Sequence, residues 1–226
     1  MKLSVIMPVY NEIRTIEEII RRVMEVDLEK ELIIVDDCST DGTREFLQKI
    51  NDRNIRVIYH EKNMGKGAAV RTGIKHAAGD VIIIQDADLE YNPQEYHKLL
   101  EPILDGRADV VYGTRFRGST TRVHLFWHYV GNRVLTLFSN MFTNLNLTDM
   151  EVCYKAFKAE IIKKIRLRSN RFGFEPEVTA KVARLRCRIY ETPISYAGRD
   201  YSEGKKIGWK DAINAFYSII RFHFFD

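Results

Sequence analysis

The 226-residue sequence is poor in cysteine and proline, has no long apolar run and carries little excess charge. Its three cysteines, Cys38, Cys153 and Cys187, are odd in number, far apart and never in a CxxC pair, which excludes a disulfide framework and a cysteine metal site. They read as reduced thiols packed in the core of a cytoplasmic protein. No window approaches the roughly 18 consecutive apolar residues of a membrane-spanning helix. The opening MKLSVIMPVY breaks at Pro8, too soon for the core of a signal peptide. A net charge of +4 is too small for a bulk nucleic-acid binder, so no nucleic acid is expected as a partner. It leaves a nucleotide, a phosphate or an acidic lipid surface. Five prolines and 13 glycines are too few for a low-complexity or disordered chain.

What the sequence has is a series of short β-rich segments alternating with helical patterns. LSVIMPVY, ELIIVDD, IRVIYH, DVIIIQDAD and DVVYGTR predict strands apolar on both faces, as in a sheet covered by helices on both sides. Ile16, Ile19, Ile20 and Val23 recur at helical spacing after Thr15, which with Glu18 fits a capping box. Phe46, Leu47 and Ile50, then Val70, Ile74 and Ala77, predict two further helices. Asn92-Pro93 predicts the capped start of another, burying Tyr96, Leu99, Leu100 and Ile103. The fold class is α/β, a single domain built on a mostly parallel central sheet with helices on both faces.

In open α/β sheets, ligands bind at the carboxyl ends of the strands. Three predicted strands end there in polar groups, PVYNE, VDDCSTDGT and QDADLE. Glu12, Asp36, Asp37, Asp86, Asp88 and Glu90 then converge on one crevice, where they repel one another unless a divalent cation or hydrogen-bond donors sit among them. Asp86 and Asp88, two apart on an extended segment, present both side chains to one face. A hard cation with oxygen ligands, Mn2+ or Mg2+, bridging to a diphosphate is the natural occupant. Helix capping and loop solvation are the competing use of the same acids. GKGAAVRTG looks superficially like a P-loop, but that motif requires an earlier glycine and a Ser or Thr after the lysine, where Gly67 stands.

SVIMPVYNE, IIVDDCSTDGT, GKGAAVRTG, DVIIIQDADLEYNP and YGTRF, in this order and spacing, resemble family 2 glycosyltransferases of the GT-A fold over essentially residues 1 to 200. Within that family the chain looks like the polyprenyl-phosphate (dolichol-phosphate) sugar synthases. The resemblance implies an inverting, metal-dependent transfer of a hexose from a UDP- or GDP-hexose to polyprenyl phosphate. It implies nucleotide-sugar binding by Pro8, Tyr10, Glu12, Asp37, Lys66, Arg71, Asp86 and Ala87, with Mn2+ or Mg2+ on Asp86, Asp88 and Glu90. Many relatives have Gln at the position of Glu90. It implies catalytic roles for Asp88, Asp149 and Arg115. Around the acceptor phosphate it implies cations that grip it, here Arg115, Arg133, Arg199 and Lys205. Arg133 also reads as part of a solvated helix face, and Asp149 as a helix N-cap.

A lipid monophosphate, with a second pKa of about 6, is mostly a dianion at neutral pH, so the site must place it rather than deprotonate it. A hydroxyl acceptor in polysaccharide or cell-envelope glycan synthesis is the alternative. The QxxRW motif that polysaccharide-forming relatives often carry is absent. A signalling receiver would share the acidic pair of IIVDDCS but is shorter and needs no second acidic strand end. A catalytically silent protein of the same fold would bind metal without turnover.

The expected layout is a nucleotide-sugar half over 1–118, an acceptor half with a lid over 119–208 and an amphipathic helix over 209–226. TTRVHLFWHYVGNRVLTLFSNMFTNL predicts one or two amphipathic helices that wall the acceptor site or pack into the core. SYAGRDYSEGKKIGW predicts a mobile lid over the donor diphosphate and acceptor phosphate. In GWKDAINAFYSIIRFHFFD, Trp209, Ile213, Phe216, Tyr217, Ile220 and Phe224 form one helical stripe, widened by Ile219, Phe222 and Phe225. Such a helix lies in a membrane interface or docks on the domain or a partner chain. The expected location is the cytoplasmic face of a membrane, held peripherally or by a separate membrane-anchor subunit.

Overall fold

The computed structural model describes residues 1–118, 120, 122, 125–199 and 209–225, the side chains of 209–211 excepted. Strands β1 (Leu3–Val9), β2 (Lys30–Asp36), β3 (Ile55–Tyr59) and β4 (Val81–Ile84) pair in parallel. Strands β5 (Val110–Thr114) and β7 (Ile189–Pro193) form a second parallel pair. Between them runs β6 (Lys155–Lys158), antiparallel to both β4 and β5, giving the order β3-β2-β1-β4-β6-β5-β7. The sheet is mostly parallel, as the sequence predicts. The sequence reading has no strand at β6, whose four residues, KAFK, are too short and too charged to stand out.

Helix α1 (Ile16–Met24) buries Ile16, Ile19, Ile20 and Val23, the expected set. Its capping box does not form: the Thr15 hydroxyl donates to Glu12 and accepts no helix N–H. Helix α2 (Thr43–Leu47) is a single short turn that buries Leu47. Helix α3 (Lys66–His76) buries Val70 and Ile74, and Gly73 lies so close to Ile6 on β1 that a Cβ would come within 2.4 Å of its Cγ2. The cap at Asn92 does form, its side chain accepting from the Gln94 N–H before α4 (Tyr96–Leu104), which buries the predicted Tyr96, Leu99, Leu100 and Ile103. Strand β3 departs from the two-faced pattern: Arg56 and Tyr59 are exposed because it is the sheet edge. Of the cysteines only Cys153 is fully buried; Cys38 and Cys187 are half-buried thiols.

Beyond β5 come α5 (Phe126–Thr143), α6 (Ala159–Ile162), α7 (Phe174–Arg184) and α8 (Trp209–Phe224). Helices α5, α7 and α8 pack on one another. Along α8 the predicted apolar stripe lies mostly on the exposed face. The helix buries Ala215, Ser218, Ile219 and Phe222, while Ile213, Tyr217, Ile220 and Phe224 are exposed. Helix α8 is apolar on two faces, and periodicity alone cannot say which of two faces meets the core.

Pro8 shows why the sheet opens where it does. Ile6 accepts from Gln85 just past β4, and Val9 accepts from Asp37 just past β2. Alternation then turns Pro8 toward the β4 side, where that strand has already ended, so its missing N–H breaks no ladder bond. Strand β1 is flanked by β2 on one side and β4 on the other, with the connections leaving in opposite directions. This is the switch point at which open α/β sheets form a crevice.

Candidate active site

A cavity of about 770 Å3 opens at the carboxyl ends of β1, β2 and β4. Pro8, Tyr10, Glu12, Asp37, Lys66, Asp86, Ala87, Asp88 and Glu90 all line it, as do Arg115 and Arg199. The acids of Asp86 and Asp88 share this space even though the loop after β4, with Leu89 at φ 62°, carries them instead of an extended strand.

Each cavity acid in this group has a cationic or N–H partner. The Lys66 ammonium, at the start of α3, pairs with Asp86 at 2.9 Å and with Glu175 at 3.2 Å. Burial opposes its charge, but Asp86 and Glu175 hold its pKa well above the usual value. Arg199 reaches Glu12 at 3.1 Å and Asp88 at 3.2 Å, and its own N–H donates to Glu90 at 2.8 Å. The Arg199 Nε is buried without a hydrogen bond. Burial, with Asp86 and Glu90 as neighbouring like charges, pushes Asp88 up to about 8 against the pull of Arg199. Glu90 also accepts from the Tyr196 hydroxyl at 2.7 Å, so it anchors the segment that carries Arg199.

Among the described residues no three His, Cys, Asp or Glu side chains are arranged to hold a metal ion. The chemistry of the donor set nevertheless fits a hard divalent cation, because it consists of carboxylate oxygens with no sulfur or imidazole. The Arg199 guanidinium supplies positive charge among Glu12, Asp88 and Glu90.

The acids after β2 divide their tasks. Asp36 is fully buried and paired with Arg44 at 2.6 Å. Asp37 faces the cavity and accepts from the N–H groups of Met64 and Gly65 at 2.8 and 2.6 Å, with His60 Nδ1 at 2.7 Å. It therefore shapes the loop leading into α3. Gly65, at φ +93°, and Gly67 lie against the backbone of residues 169–171, with no room for a Cβ. The glycines of GKG serve a close approach of two chain segments, which is why the P-loop likeness is only superficial.

Several expected site residues lie elsewhere. Arg71 does not line the cavity; it donates to the Ser169 carbonyl and the Asn170 side chain. Five positions after Lys66 on a helix, it points roughly 140° away from it. Arg133 is exposed on α5, 3.5 Å from the Thr148 carbonyl, while Gly131, Asn132 and Leu135 take the cavity side of that helix. Asp149 is fully buried and does not line the cavity, and no helix starts after it for it to cap. It holds Arg115 through two bonds of 2.7 Å, from Nε and Nη2, and accepts the Arg115 N–H at 3.1 Å. Lys205 and residues 200–208 of the expected lid lie outside the described residues.

The sequence reading missed Glu151 and Glu175, both on the cavity wall. Glu175 reads as an ordinary first-turn acid of α7, and Glu151 as one polar residue in TDMEVCYK. One oxygen of each, Glu151 Oε1 and Glu175 Oε2, is buried with no hydrogen-bond partner. Burial, then the like charge of Glu175, pushes Glu151 up to about 8. Nothing in single-sequence spacing distinguishes these two from other helix and loop acids.

A mostly parallel sheet with acidic strand ends around a crevice beside β1 has the architecture of a GT-A glycosyltransferase. The chain belongs to Glycosyl transferase family 2, whose profile matches residues 4–166, and it is an enzyme of that class. It is 30% identical over 223 residues to undecaprenyl-phosphate mannosyltransferase of Micrococcus luteus, covering 92% of this chain and 88% of the relative. It is 29% identical over 214 residues to dolichol-phosphate mannosyltransferase of Pyrococcus furiosus, covering 92% of this chain but 60% of the relative. In fold it is similar to glucosyl-3-phosphoglycerate synthase from Mycobacterium tuberculosis, crystallised with Mn2+, UDP and phosphoglyceric acid. That likeness has a TM-score of 0.77 at 20% identity, over 100% of this chain and 79% of the other.

Proposed function

We propose that the protein transfers a hexose from a UDP- or GDP-hexose to polyprenyl phosphate, with inversion and with Mn2+ or Mg2+. The observation that carries this reading is one cavity lined both by carboxylates and basic side chains and by an apolar helical wall. That wall includes Trp127 and Leu135 of α5 and Ala212 and Ala215 of α8. The similarity to polyprenyl-phosphate mannosyltransferases supports the same acceptor.

The nucleoside end of the donor is placed at Pro8, Tyr10, Glu12 and Asp37, and its diphosphate toward Asp86 and Asp88. These two aspartates would hold the divalent ion, with Glu90 on the same loop as a further carboxylate. When bound, that ion neutralises the charge that develops on the departing diphosphate. Lys66, tied to Asp86, adds a fixed positive charge on the same side.

Arg115 lines the cavity with its guanidinium already oriented by Asp149, which suits it to place an acceptor phosphate. Asp149 is a positioning residue for that arginine. Its saturated carboxylate is poorly placed to act as a base, and a phosphate dianion does not require one. Displacement at the sugar carbon by the lipid phosphate oxygen, opposite the leaving diphosphate, then becomes a matter of proximity and alignment.

No helix among the described residues is long and apolar enough to cross a membrane. Helices α5 and α8, which line the cavity through Leu135, Ala212 and Ala215, nevertheless present an outer apolar face with Phe126, Leu137, Met141, Tyr217 and Phe224 exposed. We assign this face to the membrane surface that supplies the lipid, on the cytoplasmic side.

The test is to incubate the protein and Mn2+ or Mg2+ with UDP- and GDP-hexoses and a short polyprenyl phosphate, reading lipid-linked sugar by mass spectrometry. Product that disappears with EDTA and with Asp88→Ala is expected. Metal-dependent transfer to a soluble hydroxyl compound, with none to polyprenyl phosphate, would overturn the acceptor assignment.

A further inference from the structure

Among the described residues, the cavity has three buried polar groups without a hydrogen-bond partner: Arg199 Nε, which lies among acids, and one oxygen each of the Glu151 and Glu175 carboxyl groups. Glu175 is only 4% exposed, yet its Oε2 has no hydrogen bond while its Oε1 sits 3.2 Å from the Lys66 ammonium. Glu151 approaches from the segment before β6 and also keeps one buried oxygen, Oε1, without a partner. A buried acceptor left unmatched is costly, and more so for a charged group. Native chains tolerate such a group chiefly where something outside the chain completes it.

The position of the pair says what that something is. Through Lys66, Glu175 is linked to Asp86, at the end of the cavity that faces the diphosphate. On the other side the cavity continues to the apolar wall of α5 and α8. A group attached to the diphosphate and directed toward the lipid end passes the two glutamates. Carboxyl oxygens without partners call for O–H or N–H donors. They do not suit the phosphates, which are themselves acceptors and anionic. Behind them Lys155, fully buried, donates to the Val152 carbonyl and lies over the Tyr112 ring at 4.9 Å, closing the floor to water.

We infer that Glu151 and Glu175 form the subsite that reads the transferred sugar, accepting hydrogen bonds from hydroxyl groups of the hexose. This rests on the donor reading above. Burial pushes the Glu151 carboxyl up to about 8, which lessens the charge it presents to a neutral, hydroxyl-rich ring. Specificity of this kind is strong, because a sugar lacking the matching hydroxyl leaves a buried carboxyl oxygen unpaired.

The experiment measures binding and transfer with UDP-glucose and GDP-mannose, and with their 2-, 3- and 4-deoxy analogues, in wild type, Glu151→Gln and Glu175→Gln. UDP and GDP alone, with Mn2+, are the sugar-free controls and report that each variant is folded. For the accepted donor, at least one deoxy position should weaken binding of wild type by about tenfold or more. That penalty should shrink to within about threefold in one or both variants, while nucleoside diphosphate affinity stays within about threefold of wild type. Deoxy penalties identical in wild type and both variants would overturn the subsite while leaving the donor reading intact. Equal weakening of diphosphate and nucleotide sugar would also overturn it, and would place the glutamates in service of Lys66. A fall in kcat alone for Glu151→Gln, with deoxy penalties unchanged, would make Glu151 a proton acceptor instead. If wild type bound neither nucleotide sugar nor nucleoside diphosphate, the donor reading itself would fail, and this inference with it.

Discussion

Two arginines face the same cavity, and their carboxylate partners hold them in different ways. Arg115 is gripped by one fully buried aspartate through two bonds of 2.7 Å plus a backbone contact. Arg199 is spread over three acids from two loops, at 3.1 Å to Glu12, 3.2 Å to Asp88 and 3.8 Å to Glu90. The first arrangement is a one-to-one neutral pair with its geometry saturated, so the guanidinium is a permanent fixture. The second is an excess of negative charge around a single cation with an unsatisfied Nε. On the proposed function, the first would hold an incoming anion. The other is a cation that a divalent ion would replace among the same acids, leaving Arg199 available to an acceptor phosphate.

The comparison can be broken most directly at Asp88 and Asp149. Asp88→Ala is expected to lower transfer by roughly a thousandfold or more, with little loss of stability, because it removes one acid from an overcrowded site. Asp149→Ala should do the reverse at the level of the fold. Deserting a buried guanidinium is worth about 3–5 kcal/mol, read as a lower urea midpoint with unchanged slope. Equal stability of the two variants would erase the distinction.

Removing Arg199 sharpens it further. Arg199→Ala should change stability by less than about 1 kcal/mol, since the pairing is dispersed and partly open to solvent. It should tighten Mn2+ binding severalfold in titrations without donor, because the competing cation is gone. Transfer should nevertheless fall. Weaker Mn2+ binding would show that Arg199 supports the metal site instead of standing in for the ion.

The pH dependence is a subtler measure. Folding raises the Asp88 pKa from 3.8 to about 8 in the metal-free protein. The folded state therefore holds a proton that the unfolded chain releases between those values, so this group lowers stability as pH rises from about 4 to 8. Metal must displace that proton. Mn2+ affinity should rise with pH until about 8, with proton release visible in calorimetry across buffers of different ionisation heat. The smallest effect on the fold belongs to the outer face of α8. Ile220→Asp should alter stability by no more than about 0.5 kcal/mol while weakening sedimentation with anionic liposomes.

Much of this was legible in sequence because it depends on local order. The runs that end in acids had to become buried strands with polar carboxyl ends, and the spacing of Ile16, Ile19, Ile20 and Val23 had to bury one helix face. The α/β class, the switch-point crevice and the gathering of Glu12, Asp37, Asp86 and Asp88 follow from those patterns together with the rules of parallel sheets. The tertiary structure alone decided which partner each charge meets. Arg71 turned away from the cavity through the helical angle from Lys66, and Arg133 faced solvent while its neighbour Asn132 faced the site. Glu175 and Glu151 became cavity groups only because the first turn of α7 meets Lys66 at the start of α3 and the segment before β6 reaches the cavity wall. Which of the two apolar faces of α8 is buried was settled by α5 and α7. Contacts between residues a hundred positions apart depend on the packing of whole elements, and no local period encodes them.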